Sequence, residues 1–261
     1  MARNPLAFDR RIRLLVEYEG TGFVGWQRQV NGPSIQAALE EAVLAITGER
    51  LTVAGAGRTD AGVHALGQVA AFTTRSAIPP RGLLRGLNAV LPPAVAVLEA
   101  TEAEPTFDPR RMARGKHYRY SIWNGEPRSP LRARTSWHIR DPIDAAAMDA
   151  AGRPLLGEHD FSAFRAADCD RKNPVRRIDR LEVRREGDLV TLEVEATAFL
   201  KHMVRIVVGT LADAGRGRAT PEDVAGVLAG GDRTRAGPTA PPHGLTLVRV
   251  DYLEESGRLA P

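Results

Sequence analysis

At 261 residues the chain is long enough to bury one large core or two modest ones, and its 43% hydrophobic and 26% charged residues are ordinary for a soluble globular protein. The most apolar helical stretch, 203–212, is far too short to span a bilayer, and the opening Met-Ala-Arg-Asn-Pro-Leu holds no apolar run of signal-peptide length. The single cysteine, Cys169, cannot staple the chain to itself, so a disulfide-built secreted fold is excluded and a reducing, cytoplasmic address is expected. The net charge of +4 is modest, but only Lys116, Lys172 and Lys201 of the 36 basic residues are lysines. Arginine forks match phosphate oxygens in pairs and stack on bases, so such a surface permits nucleic-acid contact; a compositional bias toward Arg and Ala gives the same count.

In chain order, 12–17 reads as a strand. Ser34 then caps a helix carrying Ile35, Leu39, Val43 and Ile46 on one stripe, and Gly48 stops it. Strands are predicted at 50–54 and 67–73, a helix at 81–88 behind Pro80, and a strand at 95–99. Residues 100–111 read as a connection. The order then largely repeats: a strand at 116–123, a helix at 144–156, and a hairpin of 178–185 with 189–196 turning at Glu186-Gly187-Asp188. An apolar helix follows at 200–212, then a helix capped by Thr220 that begins at Pro221, and a last strand at 244–251. Two β-α-β-β-α-β units predict an α+β protein of two ferredoxin-like halves, 1–105 and 106–261, with antiparallel sheets that merge.

Gly20-Thr21-Gly22-Phe23-Val24-Gly25 matches the dinucleotide fingerprint G-x-G-x-x-G, which works only when its last glycine opens a helix. Here Trp26-Gln27-Arg28-Gln29 and then Gly32-Pro33 intervene, and Glu40 and Glu41 fall inside a helix rather than at a strand end. The nucleotide reading is rejected. The six histidines show no metal-ligand spacing, and no G-x-S-x-G accompanies the Asp60–His64 spacing that could suggest a hydrolase pair. Trp123 and Trp137 read as core residues.

The informative segment is 54–65, far longer than an ordinary hairpin connection. It packs Arg58, Thr59, Asp60 and His64 between glycines that let the backbone bend closely toward another group. An Asx-type turn with a local ion pair would use the same residues, and physics alone does not choose between turn and site.

Gly57-Arg58-Thr59-Asp60-Ala61-Gly62-Val63-His64, followed by Gly67-Gln68-Val69, resembles the signature of the tRNA pseudouridine synthase A family. Gly25-Trp26-Gln27-Arg28-Gln29, Tyr118-Arg119-Tyr120 and Phe199-Leu200-Lys201-His202-Met203-Val204-Arg205 resemble three further family segments in the right order, and 155–161 is a weaker fifth. The resemblance spans nearly the whole chain. It implies that Asp60 is the catalytic nucleophile, that Arg205 pairs with it, that Tyr118 contacts the target uridine, and that Arg58 shapes the site and touches RNA. Phe107-Asp108-Pro109-Arg110 departs from the family pattern, which has a histidine beside the phenylalanine. The implied activity is isomerisation of uridine to pseudouridine at positions 38, 39 and 40 of the tRNA anticodon arm, by a homodimer that grips the tRNA, with Asp60 in the cleft between the halves. The reaction has no redox change and no net water, so neither metal, nicotinamide nor nucleotide cofactor is expected; a carboxylate that can attack and then leave suffices. A flipped base needs a surface to stack on, which an aromatic such as Tyr118 offers. A non-catalytic RNA-binding protein would need no carboxylate at position 60.

Overall fold

The structure, a computed structural model, describes residues 9–253 and the backbone of 259–260. It divides into two compact units: one runs to Ala113 and resumes at Leu247, and the other is Arg114–Thr246. The order of elements divides the chain at 105/106; packing groups residues 106–113 and the last strand with the first unit.

The first unit opens with β1 (Arg10–Tyr18), in which Ile12, Leu14, Val16 and Tyr18 are buried and the alternate residues are not, the period of a half-buried strand. α1 (Ile35–Thr47) begins where Ser34 Oγ accepts the Ala37 N–H and ends at Gly48, whose φ of +74° is the left-handed stop that glycine adopts without penalty. Its Leu39 and Val43 are fully buried. β2 is only Ala54–Gly55, followed by β3 (His64–Thr74), α2 (Pro80–Val90) with Pro80 at its first position, and β4 (Val95–Ala103). β1 lies between β3 and β4 and β2 pairs with β3, every pair antiparallel, so the strand order is β4-β1-β3-β2. Residues 104–112 are pinned rather than loose. Arg11 Nε donates to Phe107 O at 2.9 Å, Tyr252 Oη donates to Pro109 O at 2.6 Å, and the Arg13 guanidinium lies over the rings of both Phe107 and Tyr252.

In the second unit β5 (Gly115–Trp123) pairs in parallel with β6 (Trp137–His138) and antiparallel with the second strand of a long hairpin. α3 (Ala145–Gly152) is capped by Asp144, whose Oδ1 accepts the N–H groups of Ala146 and Ala147. β7 (Gly157–Asp160) pairs with β8 (Val175–Glu186), which turns through Gly187, φ +58°, into β9 (Leu189–Ala196). α4 (Met203–Gly215) and α5 (Pro221–Gly230) follow; α5 carries the capping box of Thr220 with Asp223. Met148, Ile206, Val208, Leu211 and Val224 are fully buried together with Tyr120 on β5. Trp123 and Trp137 are half-buried rather than core, each under a guanidinium, Arg132 and Arg216 respectively. The last long strand, β10 (Leu245–Leu253), pairs with β3 and with the short β11 (Leu259–Ala260). No helix among the described residues is long and apolar enough to cross a membrane.

Candidate active site

The loop between β2 and β3 is held by the segment that mimics a nucleotide fingerprint. Trp26 N–H donates to Thr59 O at 3.1 Å and Gly62 N–H to Phe23 O at 3.3 Å. Gly25 has a φ of +103°, and a Cβ there would stand 2.6 Å from Thr59 O; a Cβ on Gly20 would stand 2.0 Å from Val63 O. These glycines are therefore seats for the Asp60 loop backbone, and no helix follows them until Ile35. Within the loop, Val63 N–H donates to Asp60 O at 3.1 Å and closes a tight turn around Gly62, φ +78°.

Beneath the loop lies a buried polar set. Tyr18 and Thr59 share a hydroxyl–hydroxyl bond of 2.8 Å, and Gln68 Nε2 donates to Gly57 O at 2.9 Å. Burial pushes the Tyr18 phenol up to about 12, against the lowering pull of its bonds to Thr59 and Gln68, so it stays neutral and fixed. His64 Nδ1 accepts the Gly20 N–H at 2.9 Å, which leaves the ring proton on Nε2. His64 thus ties the early loop to the start of β3. The outcome is a half-buried Asp60 on a backbone tied to residues 23–26, with Arg58 exposed beside it.

That tethering makes an expected result. Gly25→Ala requires a β-carbon at a φ that costs about 1–3 kcal/mol, and it pushes on the Thr59 carbonyl. Thermal unfolding should fall by several degrees, and with Asp60 as the expected nucleophile turnover should fall by roughly 100-fold, because displacing a catalytic group by about 1 Å costs that much. Turnover within twofold of the parent, measured on folded protein, would show that the early loop does not position Asp60.

In the second unit Tyr118 lies on β5 opposite Val194 of β9, 7% exposed, with its ring edge-on to Phe199 at 5.1 Å. Arg205 stands in the first turn of α4. Its Nε donates to Ala240 O at 2.7 Å, while Ala240 N–H donates back to Arg205 O at 3.0 Å. The same cation opposes the strong upward push that burial exerts on the Tyr120 phenol, which donates to Pro241 O at 2.8 Å. So Arg205 and Tyr120 belong to one neighbourhood of strand, helix start and the 240–241 turn, and Tyr118 lies two residues from Tyr120 on the same strand. α4 starts three residues later than the sequence predicts, because His202 sits in the left-handed region at φ +62°. It is the one non-glycine at positive φ among the described residues. Of the supporting set of Tyr18, Thr59 and Gln68, the last two lie in segments that the sequence singles out, but Tyr18 does not. Tyr18 merely ends a strand, and only its burial beside the loop reveals it.

Among the described residues no three His, Cys, Asp or Glu side chains cluster as metal ligands would. A family model described as tRNA pseudouridine synthase matches residues 14–110 and 151–253. The tRNA pseudouridine synthase A of Myxococcus xanthus is 55% identical over 243 residues, covering 93% of this chain and 92% of that protein. Those of Geobacter sulfurreducens and Geotalea uraniireducens are 50% and 49% identical over 243 residues, each across 93% of this chain and 100% of the relative. A chain in the crystal structure of a Cbf5-Nop10-Gar1 complex aligns over 89% of this chain and 50% of its own length, at 14% identity and a TM-score of 0.37.

Proposed function

The chain belongs to the tRNA pseudouridine synthase family and is a tRNA-modifying isomerase, and from that premise we propose that it converts uridine to pseudouridine at positions 38, 39 and 40 of the anticodon arm with Asp60 as its nucleophile. The observation that carries the assignment of Asp60 is its seat. A half-buried carboxylate stands on a loop whose backbone is tied to a second loop and underpinned by the neutral Tyr18–Thr59–Gln68 set. Such tethering is what a catalytic group needs and an arbitrary surface turn does not.

In the reaction the uridine N1–C1′ bond breaks, the base turns, and C5 bonds to C1′; a proton leaves C5 and another reaches N1. Asp60 serves by attacking C1′, by adding to C6, or by assisting elimination toward a glycal, and all three routes use the same carboxylate. Tyr118 receives the flipped base, Arg205 orients Asp60 as the family resemblance implies, and the exposed Arg58 meets the RNA backbone. The remaining parts of the reading are ferredoxin-like halves, a homodimer on the tRNA and a cytoplasmic address. The β4-β1-β3-β2 order of the first unit supports the first of these.

Mass spectrometry of the anticodon arm after incubating the protein with unmodified bulk tRNA tests the specificity. Pseudouridine is expected at positions 38, 39 and 40 alone. Product confined to another arm would overturn the assignment.

A further inference from the structure

Lys116 stands apart from the rest of the basic residues. It is one of three lysines among 36 basic residues, in a chain that otherwise uses arginine nearly everywhere. It lies on β5 two residues before Tyr118, so its side chain shares a sheet face with Tyr118 and the fully buried Tyr120; side chains alternate along the strand, and these two are buried while Arg119 between them is not. Two residues of strand separate Lys116 from Tyr118 by about 7 Å. Across the sheet its Cα partner is Ala196, a small buried residue, three positions before the Phe199 that meets the Tyr118 ring. Half-buried as the residue is, loss of solvent pulls its ammonium down to about 8. A lysine whose solvation is given up beside a candidate substrate-stacking aromatic is not a surface charge for solubility. Arginine, more weakly hydrated, is the cation that buried ion pairs ordinarily use, and a compact ammonium stands here instead.

We propose that Lys116 is a further catalytic residue, its ammonium donating a charge-assisted hydrogen bond to a carbonyl oxygen of the target uracil held against Tyr118. The inference rests on the reading that Tyr118 receives the flipped base. In each route open to Asp60 electron density moves onto the uracil ring. When N1–C1′ breaks, the bonding pair departs with the base and spreads over N1, O2 and O4; when a carboxylate adds to C6, the displaced pair moves toward O4. A fixed cation at that oxygen stabilises the charge where it develops and is partly desolvated in advance. No proton needs to leave the ammonium for this role.

The test compares Lys116→Met and Lys116→Arg with the parent on unmodified tRNA and on the same tRNA carrying 5-fluorouridine, scoring single-turnover loss of the N1-linked nucleoside. A folded-state value depressed below that of the unfolded lysine means that the buried ammonium opposes folding at neutral pH. Lys116→Met should therefore unfold at the same or a higher temperature than the parent. Its rate on uridine should fall at least tenfold with tRNA affinity within threefold, and Lys116→Arg should recover part of the loss. On 5-fluorouridine, whose ring bears negative charge more readily, the deficit should shrink several-fold. A structural role predicts equal deficits on the two substrates, and that result overturns the proposal, as does a parental rate for Lys116→Met. An inert parent and an inert Asp60→Asn together would overturn the anticodon-arm reading and this one with it, whereas an active parent beside an unimpaired Lys116→Met overturns this one alone.

Discussion

Asp60→Asn should abolish pseudouridine formation while leaving a folded, tRNA-binding protein. The substitution keeps the size and shape of the side chain and removes only its charge and nucleophilicity, so the tethers of the loop survive. The backbone bonds from Trp26 to Thr59 and from Val63 to Asp60 do not involve the carboxylate. Stability should move little, about 1 kcal/mol, because the isosteric amide leaves the backbone tethers in place. The tRNA affinity should change less than tenfold, about 1.4 kcal/mol, because many phosphates and not one carboxylate hold the RNA. Turnover, by contrast, loses the proposed nucleophile, and in single-turnover assays should fall by more than about 10⁴-fold. Substantial product from purified Asp60→Asn, free of parent enzyme, would sink the nucleophile assignment whatever the affinity did.

Local chemistry made much of the fold legible. Ser34 and Gly48 bracket α1 as capping rules require, Thr220 and Pro221 open α5, and the stripe of Ile35, Leu39 and Val43 faces the core. The strand predicted at 50–54 survives only as Ala54–Gly55, and the reason is tertiary. Val53 N–H donates to Glu40 Oε1 at 3.1 Å and Val53 O accepts from Gln36 Nε2 at 3.0 Å, so two side chains of α1 satisfy the backbone that a neighbouring strand would have. Neither bond can be seen from residue patterns, because Glu40 and Gln36 read as solvated helix positions. The glycines of 20–25 match the dinucleotide pattern but lack the helix that it needs, which was legible; their actual use was not. That Gly25 must lack a β-carbon because Thr59 O occupies its place is a fact of three-dimensional approach. Likewise, the late start of α4 follows from one left-handed residue, His202, that no propensity would choose over glycine.

Replacing Arg205 should separate binding from turnover almost as sharply as replacing Asp60. Its guanidinium is held at one end: Nε donates to the carbonyl of Ala240, a residue that is 1% exposed, and this fixes the plane of the terminal nitrogens. Lysine keeps the positive charge but has no Nε and no plane, so Arg205→Lys should leave tRNA affinity within about threefold and lower the single-turnover rate by roughly 100-fold, the scale for losing one oriented donor. Alanine removes the charge as well, and a further tenfold loss is expected on the same grounds. Both variants orphan the buried Ala240 carbonyl, at about 1–3 kcal/mol, or a few degrees of thermal midpoint. That shared cost supplies the control. If Arg205 only braced the 240–241 turn, the two variants would lose stability equally, and folded protein of each would turn over at the same rate. A lysine variant faster than the alanine variant, at matched stability, isolates the role of the charge. If the cation acts through the carboxylate, Arg205→Ala should cost nothing further in a double-mutant cycle with Asp60→Asn. Near-parental turnover by Arg205→Ala, or residual Asp60→Asn activity that Arg205→Ala lowers again, would show that the two residues do not form one catalytic unit.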